Sequence, residues 1–142
     1  MVDKKDKLII DELINSGREP ASSIAERIDL SVPSVIERIK KLQEADIITG
    51  FKATINYKKL GLDVSAFVTI ISESSAHYKQ FRKKIKEVPE IVKCFSTTGG
   101  GSHVLFVQTS NTDSLEKLLS AIQQWPGVIR TETQLILSSY KD

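Results

Sequence analysis

Residues 31–42 read SVPSVIERIKKL, and the fold of the first half follows from this stretch. At ~100° per residue, Val35, Ile36, Ile39 and Leu42 fall on one arc of a helix. Ser34, Glu37, Arg38 and Lys41 fall on the opposite arc, with Pro33 and Lys40 at its margins. Ser31 is placed to accept from the orphan N–H groups of the first turn. Pro33 is tolerable because that first turn needs no donor from it. The stretch therefore predicts a capped helix with one apolar stripe and one polar stripe.

Working back, residues 3–16 predict a first helix with Ile9, Ile10, Leu13 and Ile14 at helical spacing. Asp3 and Asp6 suit the positive end of its dipole, and Gly17 is expected to end it with a positive φ. Pro20 opens a second helix carrying Ile24, Ala25 and Ile28, which Asp29 breaks. Ala25 is small where two crossing helices must approach, and Asp29 stands where a tight turn needs left-handed geometry. This is helix, short turn, helix, with Ile24, Ile28, Leu30 and Val35 as its inner face. Working forward, residues 45–55, ADIITGFKATI, predict a short hairpin or wing.

A winged helix-turn-helix is thus expected over residues 1–55, with residues 31–42 entering the major groove of DNA. The candidate DNA-contacting residues are Arg18, Ser31, Pro33, Ser34, Glu37, Arg38, Lys40 and Lys41. Arg38 and Lys41 lead this set; Arg38 suits either a guanine edge or a phosphate, and Ser34 reaches either. Glu37 can accept from cytosine or pair with Lys41 at i,i+4. The alternative is three packed helices that bind no nucleic acid.

Residues 56–61 read as a linker. Beyond them the pattern changes. Residues 64–71 predict a strand, and residues 76–88 a helix with Tyr78, Phe81, Ile85 and Val88 on one face. Residues 91–97 and 104–109 predict two more strands. Residues 113–124 predict a helix through Leu115, Leu118, Leu119 and Ile122. In residues 128–137, Arg130, Glu132 and Gln134 alternate with Ile129, Thr131, Thr133 and Leu135. The order βαββαβ is the ferredoxin-like split, so residues 62–142 form the second domain and the fold class is α+β. Two helices cover one face of the sheet, and the apolar strand residues call for a cover on the other. A second copy of the same sheet would make a two-fold homodimer and bring two recognition helices to a palindromic site.

Composition fits this reading and narrows the alternatives. The chain has 142 residues, 40% hydrophobic and 27% charged, as expected of a folded protein. The formal net charge is +2, with 11 basic and 10 acidic residues up to position 60 and 9 and 8 after it. Neither half is polybasic, so DNA binding must come from local placement of charge and depend on salt. No apolar run approaches the ~20 residues of a membrane span, and no signal segment is evident, so no membrane partner is expected. The one cysteine excludes an intrachain disulfide and a cysteine metal cluster, and the cytoplasm is the expected compartment. Cys94, His77 and His103 lack the third orienting group of a nucleophile–base set and the carboxylate spacing of a metal site. No enzyme activity, metal or cofactor is expected. The basic run from Lys79 to Lys86 reads as the solvated side of a helix.

Both halves resemble the Lrp/AsnC-like feast/famine regulators of bacteria and archaea. The resemblance rests on Asp3, Asp6 and Arg18, on IAERIDLSVPSVIERIKKLQEADIITGFKATI over residues 24–55, and on PGVIRTET over residues 126–133. It implies a transcription regulator whose second, RAM-type domain dimerises sheet to sheet and whose dimers assemble further, often into octamers. It also implies amino acids or related metabolites as effectors, bound where dimers meet. The corresponding residues here are Gly99, Gly100, Gly101, Ser102, His103, Thr131 and Thr133.

One departure stands out. The family usually has a glycine followed by an aromatic–aspartate pair in this loop, and the aspartate is expected to receive an effector's amino group. Here Gly101 replaces the aromatic and Ser102 the aspartate. A hydroxyl lacks the full charge that favours an ammonium. Ordinary α-amino acids are therefore expected to bind weakly or not at all, leaving either an altered ligand site or a simple turn. A ligand-binding oligomer without DNA affinity is the alternative function.

Overall fold

The computed structural model describes residues 1–142 and divides into two compact units, Met1–Ile55 and Asn56–Asp142. In the first unit, α1 spans Lys4–Asn15, α2 Ala21–Ile28 and α3 Val32–Glu44. Local chemistry sets these boundaries. Asp3 accepts from the Asp6 N–H at 2.8 Å while Asp6 accepts from the Asp3 N–H at 3.1 Å, a reciprocal cap at the start of α1. Asp29 takes the left-handed conformation (φ 57°, ψ 54°) that the turn between α2 and α3 requires. Ser31 caps α3 through the Ser34 N–H at 3.2 Å, and Pro33 lies in the first turn. Ile9, Ile24, Ala25, Ile28 and Val35 form the core, closed on its margin by Leu13, Leu30 and Ile39.

Four expectations are corrected in this unit. Ile14 is 74% exposed and Ile36 55% exposed, so neither belongs to the buried stripe. Gly17 has no positive φ; α1 ends instead where the Ser16 N–H bonds the Glu12 carbonyl at 2.9 Å. The hairpin over residues 45–55 does not form. Asp46 turns left-handed (φ 55°), and the N–H groups of Ile47 and Ile48 both bond the Leu42 carbonyl, at 2.9 and 3.1 Å. The β-branched pair thereby closes the end of α3, and residues 51–55 have no strand opposite them.

The second unit opens with a short 3-10 turn, Tyr57–Leu60, capped by Asn56 and ended by Gly61 at φ +80°, so the expected linker carries structure of its own. Then follow β1 (Val64–Ser72), a 3-10 turn (Ser75–His77), α4 (Tyr78–Glu87), β2 (Ile91–Ser96), β3 (His103–Thr109), α5 (Thr112–Gln123) and β4 (Val128–Leu135). The sheet order is β2-β3-β1-β4, antiparallel throughout, as the βαββαβ pattern predicts.

Register sorts the side chains between the two faces. Ala66, Val68 and Ile70 lie opposite Val107, Leu105 and His103, and all six are buried beneath the helices. Phe81 of α4 and Ile122 of α5 complete this core with Trp125. The alternate residues, Phe67, Thr69, Phe106 and Val104, share the open face with Glu132 and Gln134 of β4. No helix is long and apolar enough to cross a membrane.

Candidate nucleic-acid interface and effector loop

α3 presents less of its polar arc than its sequence implies, because one member turns inward. Arg38 Nη1 donates to Asp3 Oδ1 and Oδ2 at 2.8 and 2.7 Å and to Asp6 Oδ1 at 3.0 Å. The two carboxylates that cap α1 thus also hold α3. The Asp3 and Asp6 carboxylates beside it raise the Arg38 pKa, and the Arg38 guanidinium in turn lowers that of Asp3. Asp6 is a buried charge whose partners are this guanidinium and the backbone of its own cap. Only one guanidinium nitrogen has a protein partner, so Nη2 and Nε still offer donors.

With Arg38 turned toward α1, the exposed arc of α3 centres on Pro33, Glu37 and Lys40. Lys41 and half-buried Ser34 lie on one flank, and the exposed side chain of Ile36 on the other. An open groove of about 480 Å³ runs between α1 and α3, lined by Asp3, Ser34, Glu37, Arg38 and Lys41. Of the eight expected DNA-contacting residues, these four of α3 therefore share one surface. Ser31, Pro33 and Lys40 are exposed elsewhere along α3, and Arg18 is exposed in the turn after α1. Sequence reading missed Ile36 as an exposed apolar group. The signal was present in the acidic pair Asp3 and Asp6, which supplies a reason for Arg38 to face inward and so rotates the free arc toward Ile36.

In the second unit, the loop between β2 and β3 is tied down at its end. The Ser102 N–H bonds the Ile70 carbonyl at 2.9 Å, and the Thr97 N–H bonds the Ser102 carbonyl at 3.1 Å. The Ser102 hydroxyl accepts from Ser72 Oγ at 2.7 Å and lies 2.8 Å from His103 Nδ1 and 3.3 Å from the Ile70 carbonyl. Three partners therefore surround this hydroxyl, and its proton goes to the Ile70 carbonyl or to Nδ1 according to the tautomer of the ring. Gly101 is pressed against β1: a Cβ there would meet Thr69 Cγ2 at 2.3 Å and the Ile70 carbonyl at 3.1 Å. Gly99, at φ +101°, and Gly100 are open to solvent.

His103 is the member of the loop set that structure moves furthest from its expected place. Its ring is buried, edge-on to Tyr78 at 4.8 Å and Phe81 at 5.9 Å. Burial, with Arg82 nearby, lowers its pKa and favours the neutral ring. Thr131 lies across β1 from His103, since both are opposite Ile70, and Thr133 follows opposite Val68. The Thr131 hydroxyl accepts from Gln123 Nε2 at 3.1 Å.

On the other side of the sheet, Phe67 and Phe106 pack with ring centroids 5.7 Å apart. Phe67 is 42% exposed and Phe95 56% exposed. Lys93, Arg130 and Glu132 surround this aromatic strip, with Arg130 and Glu132 paired at 3.0 Å.

Comparison with known proteins accounts for both units. Residues 2–49 match the model of a winged helix-turn-helix DNA-binding domain, and residues 65–142 match that of the Lrp/AsnC ligand binding domain. The HTH-type transcriptional regulator FL11 of Pyrococcus horikoshii is 33% identical over 141 residues, covering 99% of this chain and 93% of the relative. The structure of Escherichia coli AsnC superposes with a TM-score of 0.89 at 28% identity, over 100% of this chain and 96% of that one. A feast or famine regulatory protein from Mycobacterium tuberculosis, solved in complex with L-methionine, superposes with a TM-score of 0.92 at 30% identity, with the same coverage.

Proposed function

The chain belongs to the Lrp/AsnC family of helix-turn-helix transcription regulators, and from that premise we propose that α3 reads promoter DNA as one half of a two-fold dimer. The protein is a DNA-binding regulator and not an enzyme. The observation that carries the proposal is the Ser31-capped α3, with Ser34, Glu37, Lys40 and Lys41 free of internal ion pairs.

Lys40, Lys41 and Arg18 serve phosphates, which position the protein without reading sequence. Ser34 and Glu37 reach base edges, and the exposed Ile36 suits the methyl group of thymine. Ser31 and Pro33 fix where the helix begins. Arg38 acts chiefly as a positioning residue: it holds α3 against the start of α1, and its free nitrogens face the same groove.

A second copy covers the open sheet face around Phe67, Phe95 and Phe106, which spaces two copies of α3 for a palindromic site. Family resemblance extends this to assemblies as large as octamers, acting in the cytoplasm. A small metabolite then acts through Gly99, Gly100, Gly101, Ser102 and His103 together with Thr131 and Thr133. The M. tuberculosis relative holds L-methionine; in this chain the occupied Ser102 hydroxyl argues against the same reception of an ammonium group.

Electrophoretic retardation tests the reading. The full chain should retard a selected duplex at about 50 mM salt and release it steeply by about 200 mM. Lys41→Gln should reduce the slope of log affinity against log salt by about 1. Failure to retard its own upstream DNA or any selected duplex at low salt would sink the proposal. Leucine, methionine, lysine and glutamine at millimolar concentration should leave the melting temperature nearly unchanged; a clear rise with any of them would overturn the reading of the loop.

A further inference from the structure

A second groove, of about 390 Å³, lies between α4 and the edge strand β2. Arg82 and Lys86, one helical turn apart, stand on its α4 side. Cys94 and Ser96 border it from β2, and His103 from β3, directly opposite Ser96 in register. No carboxylate borders it.

This charge is unusual for the second unit. Five of its eleven basic residues fall on α4, against a single acid, Glu87. Two of the neighbouring cations are engaged with rings. Lys84 Nζ lies 6.0 Å from the Trp125 ring centroid, and Lys93 Nζ lies 6.0 Å from that of Phe106 on the opposite sheet face. Arg82 and Lys86 have neither an ion pair nor a side-chain hydrogen bond. At the buried edge of the groove, burial first and the nearby Arg82 second disfavour a proton on His103.

We propose that this groove binds a small anion bearing a carboxylate or phosphate group. Arg82 supplies a planar fork suited to two anionic oxygens, Lys86 a second positive charge, and the Ser96 hydroxyl a neutral donor. The concave site favours a small anion over the backbone of a duplex, which would need cations along an outward-facing row. A route to the loop follows from His103: its ring borders the groove, and its Nδ1 lies 2.8 Å from the Ser102 hydroxyl. An anion seated on Arg82 would thus act on the loop from beneath, by chemistry opposite to that of an ammonium-receiving aspartate. The site does not depend on how α3 reads DNA.

The test is isothermal titration of the full chain with inorganic phosphate and, separately, with malonate, chloride being used to hold ionic strength constant. The expected result is saturable binding in the millimolar range for at least one of the two, and the pair distinguishes a phosphate from a carboxylate ligand. Arg82→Gln should weaken it about tenfold and Lys86→Gln by less. Lys79→Gln, outside the groove, should leave it unchanged. Melting of each variant, followed through Trp125, establishes that it is folded. Absence of saturation with both anions, or equal affinity in folded Arg82→Gln, would overturn the proposal. So would a loss of duplex affinity in Arg82→Gln without any anion saturation, which would give the groove to the DNA backbone. Saturable anion binding by a protein that retards no duplex would leave this inference standing and sink the DNA-reading one.

Discussion

The two units solve the same problem by different means. The helical unit has a core of five buried apolar residues, and the sheet unit one of twelve. A domain of some 55 residues hides a smaller fraction of its surface than a larger one does. The helical unit compensates with charge placed between helices. Arg38 joins α3 to Asp3 and Asp6 at α1, Arg27 joins α2 to Glu12 and Glu19 at 2.6 and 2.9 Å, and Lys5 donates to the Ile28 carbonyl at the end of α2. The sheet unit needs no such lacing. Arg82 and Lys86 on α4 have no ion pair, and the aromatic face of the sheet is left open. Where the core is small, part of the charge holds the fold, and only the rest, on the outer arc of α3, is free for recognition.

The largest test of this contrast is Phe81→Ala. Phe81 is fully buried between the sheet, Trp125 and Tyr78. Its truncation should cost about 3–5 kcal/mol, read by urea denaturation through the single tryptophan. The helical unit should melt as before; a matching fall in its stability would break the division into two independently held units. Gly101→Ala is the next in size. The new methyl would press on Thr69 and on the Ile70 carbonyl, which β1 holds in place, so the cost should be about 1–3 kcal/mol. A neutral result would mean that the loop yields freely, against its anchoring at Ile70.

Arg38→Met is smaller but sharper. It should lower the melting temperature of the helical unit while leaving the salt slope of DNA binding close to that of the parent at temperatures where the variant is folded. A slope reduced by about 1 would make Arg38 a phosphate contact instead. Acid should act on the same clamp. The folded pKa of Asp3 lies below its unfolded one, so its contribution is fully present above the ordinary carboxylate range and is lost as pH falls from there through the lowered folded value. The helical unit should therefore weaken below about pH 4, and Asp3→Asn should remove much of that acid response. An unaltered response in the variant would show that the clamp lies elsewhere.

Much of this architecture could be read before any coordinates, because it rests on local chemistry. Asp29 in the tight turn, Ser31 at the cap and the alternation along β4 are each dictated by neighbours within a few residues. What escaped reading depends on distance. Arg38 faces inward because of carboxylates 32 and 35 positions away, and that pairing exposes Ile36 where periodicity alone would bury it. Residues 45–55 have the composition of a hairpin but lack a partner strand, and Leu42 draws Ile47 and Ile48 into a helix-ending turn. Position along the chain groups His103 with its loop, yet strand pairing with Ile70 carries its ring into the core. The α4 groove escaped for a similar reason, since His103 reaches its edge only through the pairing of β3 with β2.

The sheet order also has a consequence for synthesis. β1 emerges first of the four strands but occupies an interior position, hydrogen-bonded to β3 and β4. Its second edge is filled only by residues 128–135, the last of the four strands to be made. The three helices rely on shorter-range contacts and can fold while the ribosome is still extending the chain. A growing chain can thus carry a formed helix-turn-helix while the sheet of the second unit is still open along β1, which makes completion of β4 the later event.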